Sequence, residues 1–156
     1  MGYSKSHMPS KYENKCHMVI HTATVAAAAA GAIPIPMADA IPITTAQVTM
    51  IIALGNVFGV ELNEAIARSV LGCGLSTQIG RAVFTNILKL IPGAGHIAGA
   101  IVASSTAAAI TEALGWLIAD DFYRMSTGEK PKDLNAIQGL DKVFNHLEEG
   151  RCFPKK

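Results

Sequence analysis

The chain has 156 residues, of which half are apolar, 16% are charged and 6% are aromatic, and its formal net charge is +1. This length suits a single domain with a substantial core, and the apolar content excludes a disordered chain. The nearly neutral charge provides no general attraction to nucleic acid. Three cysteines without a CxxC spacing argue against a disulfide framework or a zinc module and suit a reducing cytoplasm.

The charged residues are distributed unevenly. Residues 18–118 carry only seven: Asp39, Glu61, Glu64, Arg68, Arg81, Lys89 and Glu112. So long a charge-poor segment must be buried in a helical core or an oligomer, or it must meet a bilayer. We divide the chain into a polar N-terminal segment without a secretory signal (1–17), a charge-poor helical domain (18–125) and a charged C-terminal helix and tail (126–156).

Helix patterns dominate and strand patterns are nearly absent, so the sequence predicts an all-α fold. The predicted helices are Lys11–Ala30, Asp39–Phe58, Asn63–Leu71, Ser76–Leu90, His96–Arg124 and Asp133–Glu149. Gly31 and Gly59 end the first two, Asn63 caps the third, and Gly72 to Gly74 break it. We expect these six helices to form two apolar helical hairpins and a C-terminal amphipathic helix.

Two of the predicted connections between helices are apolar, whereas an ordinary surface loop is polar. The first contains Ile33, Ile35 and Met37 between prolines, and the second contains Ile91 before Pro92. We therefore expect two apolar hairpin tips, which are candidate contacts with a membrane or with another copy of the chain.

Three uncharged stretches, 18–38, 40–60 and 90–111, reach the length that a membrane crossing needs. Segment 97–119 is the best candidate, since its large aliphatic side chains each gain roughly 0.3–0.6 kcal/mol on insertion. The acidic Glu112 costs about 2.5–3.5 kcal/mol and cancels most of that gain. Insertion is therefore marginal, and peripheral attachment and burial in a soluble oligomer stay open.

Small residues recur every four positions along the longest predicted helix. The series comprises Gly95, Gly99, Ala103, Ala107, Thr111 and Gly115. This spacing allows close helix contact in lipid, but intramolecular core packing is the favoured use. Trp116 begins an aromatic group with Phe122 and Tyr123, which is either an interfacial anchor or part of the core.

Few residues suggest chemistry. Glu13, His17 and His21 recur every four residues and could share a metal ion, but the HExxH pattern is absent and a polar stripe is the favoured interpretation. Glu112 is the one charge in its apolar helix, so we expect a buried carboxylate paired with Arg81 or Lys89. Gln47 is expected to make an interhelical hydrogen bond. No catalytic residue and no cofactor is predicted.

One region resembles a known family. It comprises the run AAAGAIPIPMAD (28–39), the run TAQVTMII (45–52), the Val57–Gly59 stop and the later IPGAG (91–95). These motifs resemble the uncharacterised helical domain that follows GTPase domains in some bacterial proteins and occurs in YcjF-type inner-membrane proteins. The resemblance covers about residues 18–122 and implies membrane association and a GTPase neighbour. The chain lacks GxxxxGK[ST], so any nucleotide hydrolysis would belong to a separate partner.

The sequence therefore predicts a non-enzymatic, homo-oligomeric helical module in the cytoplasm that docks on the inner face of the cell membrane and works with a GTPase. The alternative is a soluble cytosolic homo-oligomeric scaffold or adaptor. A metal-dependent enzyme that uses Glu13, His17 and His21 is a third, less favoured class.

Overall fold

The computed structural model describes residues 8–32, 40–76 and 96–134, with the side chains of residues 40, 76 and 96–103 excepted. Within these ranges the chain forms four helices and no strand: α1 (Ser10–Gly31), α2 (Ala40–Val57), α3 (Glu64–Ser76) and α4 (His96–Ser126). The all-α prediction is confirmed for this part of the chain. The predicted helices Ser76–Leu90 and Asp133–Glu149 fall almost wholly outside it, so the number six is not confirmed.

Local sequence signals explain most of the helix ends. The Asn63 side chain accepts a hydrogen bond from the Ile66 N–H at 2.8 Å and caps α3, as predicted. Gly59 has a φ of 78°, which glycine adopts at no steric cost, and it ends α2 as predicted. The expected break at Gly72 is wrong, because α3 continues through it to Ser76.

The three long helices, α1, α2 and α4, pack side by side. α1 runs antiparallel to α4, since Tyr12 lies beside Tyr123 at one end and Ala28 accepts a hydrogen bond from Ser104 at the other. α2 runs parallel to α4, because Gln47 contacts Thr111 near one end and Phe58, directly after α2, lies beside Tyr123 near the other. α3 packs mainly against α2.

The core lies between these helices. Its largest fully buried apolar side chains are Ile20, Met50, Ile51, Leu54, Val60, Val70, Ile118, Phe122 and Leu134. Helices α1, α2 and α4 pack closely at Gly115, where a Cβ atom would lie 2.8 Å from Ile20 Cγ1 and 3.0 Å from Met50 Sδ. The second half of the small-residue series, including buried Ala107 and Thr111, thus serves intramolecular packing, which was the favoured prediction.

Charged side chains gather at one end of this bundle. Glu64 pairs with Arg68 at 2.7 Å, and Arg124 pairs with Glu129 at 3.3 Å. Tyr12, Phe58 and Tyr123 pack together at the same end, with ring centroids 5.7–6.4 Å apart. We call this the charged end.

Candidate functional site

Among the described residues, the parts of the three long helices away from the charged end carry no Asp, Glu, Lys or Arg. They consist of residues 18–31 of α1, 40–50 of α2 and 96–111 of α4, which we call the uncharged end. The α4 part alone is about 24 Å long at 1.5 Å per residue. The antiparallel arrangement therefore gathers the charge-poor half of each long helix into one continuous region.

Large apolar side chains are exposed on this region. Met18 is 72% exposed, Val25 64% and Ile41 75%, and the small side chains of Ala26 and Ala29 are also exposed. In the part of the chain that the structure describes, only Leu75 is a further exposed large hydrophobic residue. Scattered apolar residues are ordinary on a surface, but Met18, Val25 and Ala29 lie on one side of α1, and an uncharged apolar helix face is typical of an interaction site.

Exposed hydroxyl groups of the uncharged end bond back to their own helices. Thr22 Oγ1 donates to the Met18 carbonyl and Thr45 Oγ1 donates to the Ile41 carbonyl, each at 2.8 Å. A threonine that bonds to the carbonyl four residues earlier satisfies its donor without water. The free energy of removing water from these two hydroxyl groups is therefore small.

Polar side chains inside the uncharged end link the helices. Gln47 Nε2 donates to Thr111 Oγ1 at 3.2 Å in a buried contact between α2 and α4, so the prediction for Gln47 is confirmed. Ser104 Oγ donates to the Ala28 carbonyl at 2.8 Å and joins α4 to α1. Internal hydrogen bonds of this kind hold polar groups away from the surface.

Glu112 directly follows the α4 part of the uncharged end and contacts the α1 part of it. Its carboxylate accepts hydrogen bonds from Thr24 Oγ1 at 2.8 Å and from Trp116 Nε1 at 3.0 Å, and His21 Nδ1 lies 3.7 Å away. The side chain is 33% exposed, so the expected full burial is wrong. The carboxylate can stay in partial contact with water because it lies in the groove between α1 and α4. Arg81, one of the two predicted partners, lies outside the described residues, as does Lys89.

The alternative metal site does not form. His17 and His21 stack with their ring centroids 4.8 Å apart, but no three His, Cys, Asp or Glu side chains among the described residues converge as a metal ion would require. Glu13 therefore does not complete a ligand set with the two histidines. Their rings instead form an exposed polar strip on α1, and His17 also lies 6.1 Å from the Trp116 ring.

The other predicted interface residues have different outcomes. Trp116 is half-buried and its indole N–H donates a hydrogen bond to Glu112, so it lies in the groove between α1 and α4. Ala107 is buried within the chain and is not available to a partner. Gly99 and Ala103 lie in the part of α4 for which only the backbone is described. The remaining residues lie outside the described ranges: Ile33, Ile35, Met37, Ile91 and Gly95.

Sequence reasoning missed Asp121, which is fully buried at the charged end. Its carboxylate accepts three backbone N–H groups at 2.7 Å each, from Lys132, Asp133 and Leu134. These bonds fold the segment after α4 back onto the bundle, and they place Leu134 in the core. We call this arrangement the Asp121 clasp. Asp121 follows another aspartate, Asp120, and two adjacent acidic residues near the end of a helix usually indicate exposure to water, so the sequence gives no sign of burial.

The clasp makes the stability of the protein depend on the ionisation of Asp133. Burial raises the pKa of the Asp133 carboxyl above its ordinary value, the Asp121 carboxylate adds to this effect, and Lys132 opposes it. The folded state therefore disfavours the ionised form, and stability falls as pH rises from the ordinary aspartate pKa through the raised one. We expect Asp133→Asn to be slightly more stable than the parent protein at neutral pH. Urea unfolding at several pH values should show this gain shrinking at acidic pH, and a gain independent of pH would contradict the explanation.

Burial also determines the state of the thiol of Cys16. This residue is fully buried between the helices, and burial raises its pKa to about 11. The thiol is therefore protonated at neutral pH and behaves as a small apolar side chain.

The fold and the surface together define a helical bundle with one charged end and one uncharged, apolar end. No family model matches the chain, and no solved structure matches it. The chain is similar to the protein called Magnetosome membrane protein 22 of Magnetospirillum gryphiswaldense, with 33% identity over 95 residues. The match covers 58% of this chain and 49% of that protein, so the chain spans about half the length of this curated relative. Among the described helices, including the one that contains segment 97–119, none combines the length and the hydrophobicity that a membrane crossing needs.

Proposed function

We propose that the chain is a non-enzymatic helical module that attaches to a membrane through its uncharged end and self-associates there. The observation that carries the proposal is the exposure of Met18, Val25 and Ile41 on a region without formal charge. Lipid contact would remove this apolar surface from water, and the exposed face of α1 from Met18 to Ala29 carries no Asp, Glu, Lys or Arg that would be desolvated at the same time.

The size of the expected effect is moderate. Full burial of one large aliphatic side chain is worth about 1.5–3 kcal/mol, so these partly exposed residues would each contribute roughly 1–2 kcal/mol. Three such contributions support reversible peripheral attachment, comparable with that of a weak lipid anchor. The name of the magnetosome relative places that protein at a membrane, which agrees with attachment of this chain.

A GTPase partner is part of the same proposal. The resemblance of residues 18–122 to the YcjF-type domain supports it, and nucleotide hydrolysis would then belong to the GTPase, because these 156 residues contain no phosphate-binding loop. The ion pairs Glu64–Arg68 and Arg124–Glu129 would remain in the cytoplasm, where they are accessible to the partner.

Soluble assembly is the alternative function, because contact between copies of the chain would also cover the exposed apolar side chains. A cytosolic homo-oligomeric scaffold would bury Met18 and Val25 in a protein interface instead of lipid. The two functions differ in a measurable way, since only the membrane module requires vesicles.

Val25→Glu should reduce the recovery of the protein with floated vesicles at least several-fold. The substitution places a charge in the exposed apolar surface of α1, and contact with lipid would then require desolvation of a carboxylate. Detergent-free flotation with vesicles of phosphatidylcholine, alone and mixed with phosphatidylglycerol, measures the effect.

Ser69→Glu is the matched control. Ser69 is exposed on α3 near the charged end, and its substitution adds the same side chain to a helix that the proposal leaves in water. We expect the control to float like the parent protein. A parent protein that stays monodisperse and ignores both kinds of vesicle would overturn membrane attachment and favour the soluble scaffold.

A further inference from the structure

The exposed face of α1 has two chemically different parts. Lys11 and Lys15 are exposed near its start, whereas Met18, Val25 and Ala29 are exposed farther along. At 3.6 residues per turn, these five positions lie on one side of the helix. The surface therefore changes from basic to apolar over a single turn.

No acidic residue interrupts this face. The one acidic residue of α1, Glu13, is half-buried on another side of the helix, and the exposed formal charges of α1 belong to Lys11 and Lys15. Neither lysine forms an ion pair with another described residue. Both ammonium groups can therefore meet an anionic partner without breaking an existing bond.

We propose that this face docks on an anionic lipid bilayer, with Lys11 and Lys15 at the headgroup phosphates and with Met18 and Val25 at the boundary of the acyl chains. The inference rests on the proposed membrane attachment and names the lipid class. Long lysine side chains extend toward headgroups while their neighbours enter the apolar layer. The exposed uncharged end supplies the apolar contact, and the two lysines supply the charge complementarity.

The expected preference for anionic lipid follows from the number of lysines. Each lysine near an anionic membrane surface strengthens binding about fivefold, so two give a preference of about 30-fold over neutral lipid. The preference should disappear in about 1 M salt, where the Debye length is only about 3 Å. The apolar part of the binding should persist at the level seen with neutral vesicles.

The test compares vesicles of phosphatidylcholine with vesicles of an equal mixture of phosphatidylcholine and phosphatidylglycerol, using the full chain. Lys11→Gln/Lys15→Gln should lose the preference for the mixture and keep the binding to neutral vesicles. Lys130→Gln/Lys132→Gln removes the same charge from exposed positions at the charged end, and it should retain the preference. Circular dichroism of each variant confirms that the helices are intact.

Three results would overturn the inference. Equal binding of the parent protein to both kinds of vesicle would exclude headgroup recognition and would leave membrane attachment standing. An equal loss in the two double variants would assign the preference to net charge and not to α1. Binding to neither vesicle, with a concentration-dependent oligomer that the α1 double variant abolishes, would show that this face meets another copy of the chain.

Discussion

Asp121→Asn is expected to lower the free energy of unfolding by about 2–4 kcal/mol, because a fully buried carboxylate that accepts three backbone N–H groups is replaced by an amide. The amide retains one oxygen acceptor, and its NH₂ group faces an N–H donor that then has no partner. The attachment of the segment from Lys132 to Leu134 is thereby weakened, and so is the packing of Leu134 in the core. Urea unfolding followed by circular dichroism measures the change.

Asp120→Asn provides the comparison, since it removes the same charge from the adjacent residue of α4. Asp120 Oδ1 is buried and accepts no hydrogen bond, so the substitution breaks none at that atom. We expect a change much smaller than that of Asp121→Asn. Equal destabilisation by the two substitutions would show that charge, and not the Asp121 clasp, determines the effect.

Gly115→Ala should destabilise the protein by about 1–3 kcal/mol, although alanine is the better helix former by about 1 kcal/mol. The new Cβ atom would meet Ile20 Cγ1 at 2.8 Å, Ile20 Cγ2 at 2.9 Å and Met50 Sδ at 3.0 Å. Ile20 is fully buried and branched at Cβ, so it cannot rotate away cheaply. α1 would have to move away from α4. Thermal and urea unfolding both report the loss.

Gly72→Ala is the matched substitution, and it should change the free energy of unfolding in the opposite direction. Gly72 lies within α3, is exposed, and has no heavy atom within 4 Å of the Cβ position. Alanine there should raise the free energy of unfolding by about 0.5–1 kcal/mol, because it favours the helix and meets no neighbour. Destabilisation by Gly72→Ala, or stabilisation by Gly115→Ala, would contradict the packing that the structure describes.

Helix identity and several helix ends could be predicted because their causes are local. Gly59 with its left-handed φ and Asn63 with its capping oxygen act within a few residues of their own positions. The predicted break at Gly72 is wrong for a non-local reason. The adjacent turn of α3 packs on α4, where a Cβ atom at Gly74 would lie 2.6 Å from Leu114 Cδ1. Tertiary contact therefore outweighs the low helix propensity of the two glycines.

The difference between local and long-range causes also explains why the contacts of the polar residues could not be predicted. Glu112 is conspicuous in sequence as a charge within an apolar helix, but its partner Thr24 lies 88 positions away and depends on the register of α1 against α4. Asp121 gives no comparable signal, since its partners are backbone groups of a segment beyond a turn. A hydrogen bond that a backbone N–H donates leaves no mark on residue type, so only the folded chain reveals it.

The placement of the Asp121 clasp has a consequence for access to the bundle. Tyr12 near the start of α1 and Leu134 after the clasp both lie at the pole opposite Val25 and Ile41. Both ends of the described chain, at residues 8 and 134, therefore lie on the side of the bundle away from Val25 and Ile41. A spectroscopic label at residue 8 or residue 134 would accordingly report on the charged end and not on the surface around Val25 and Ile41.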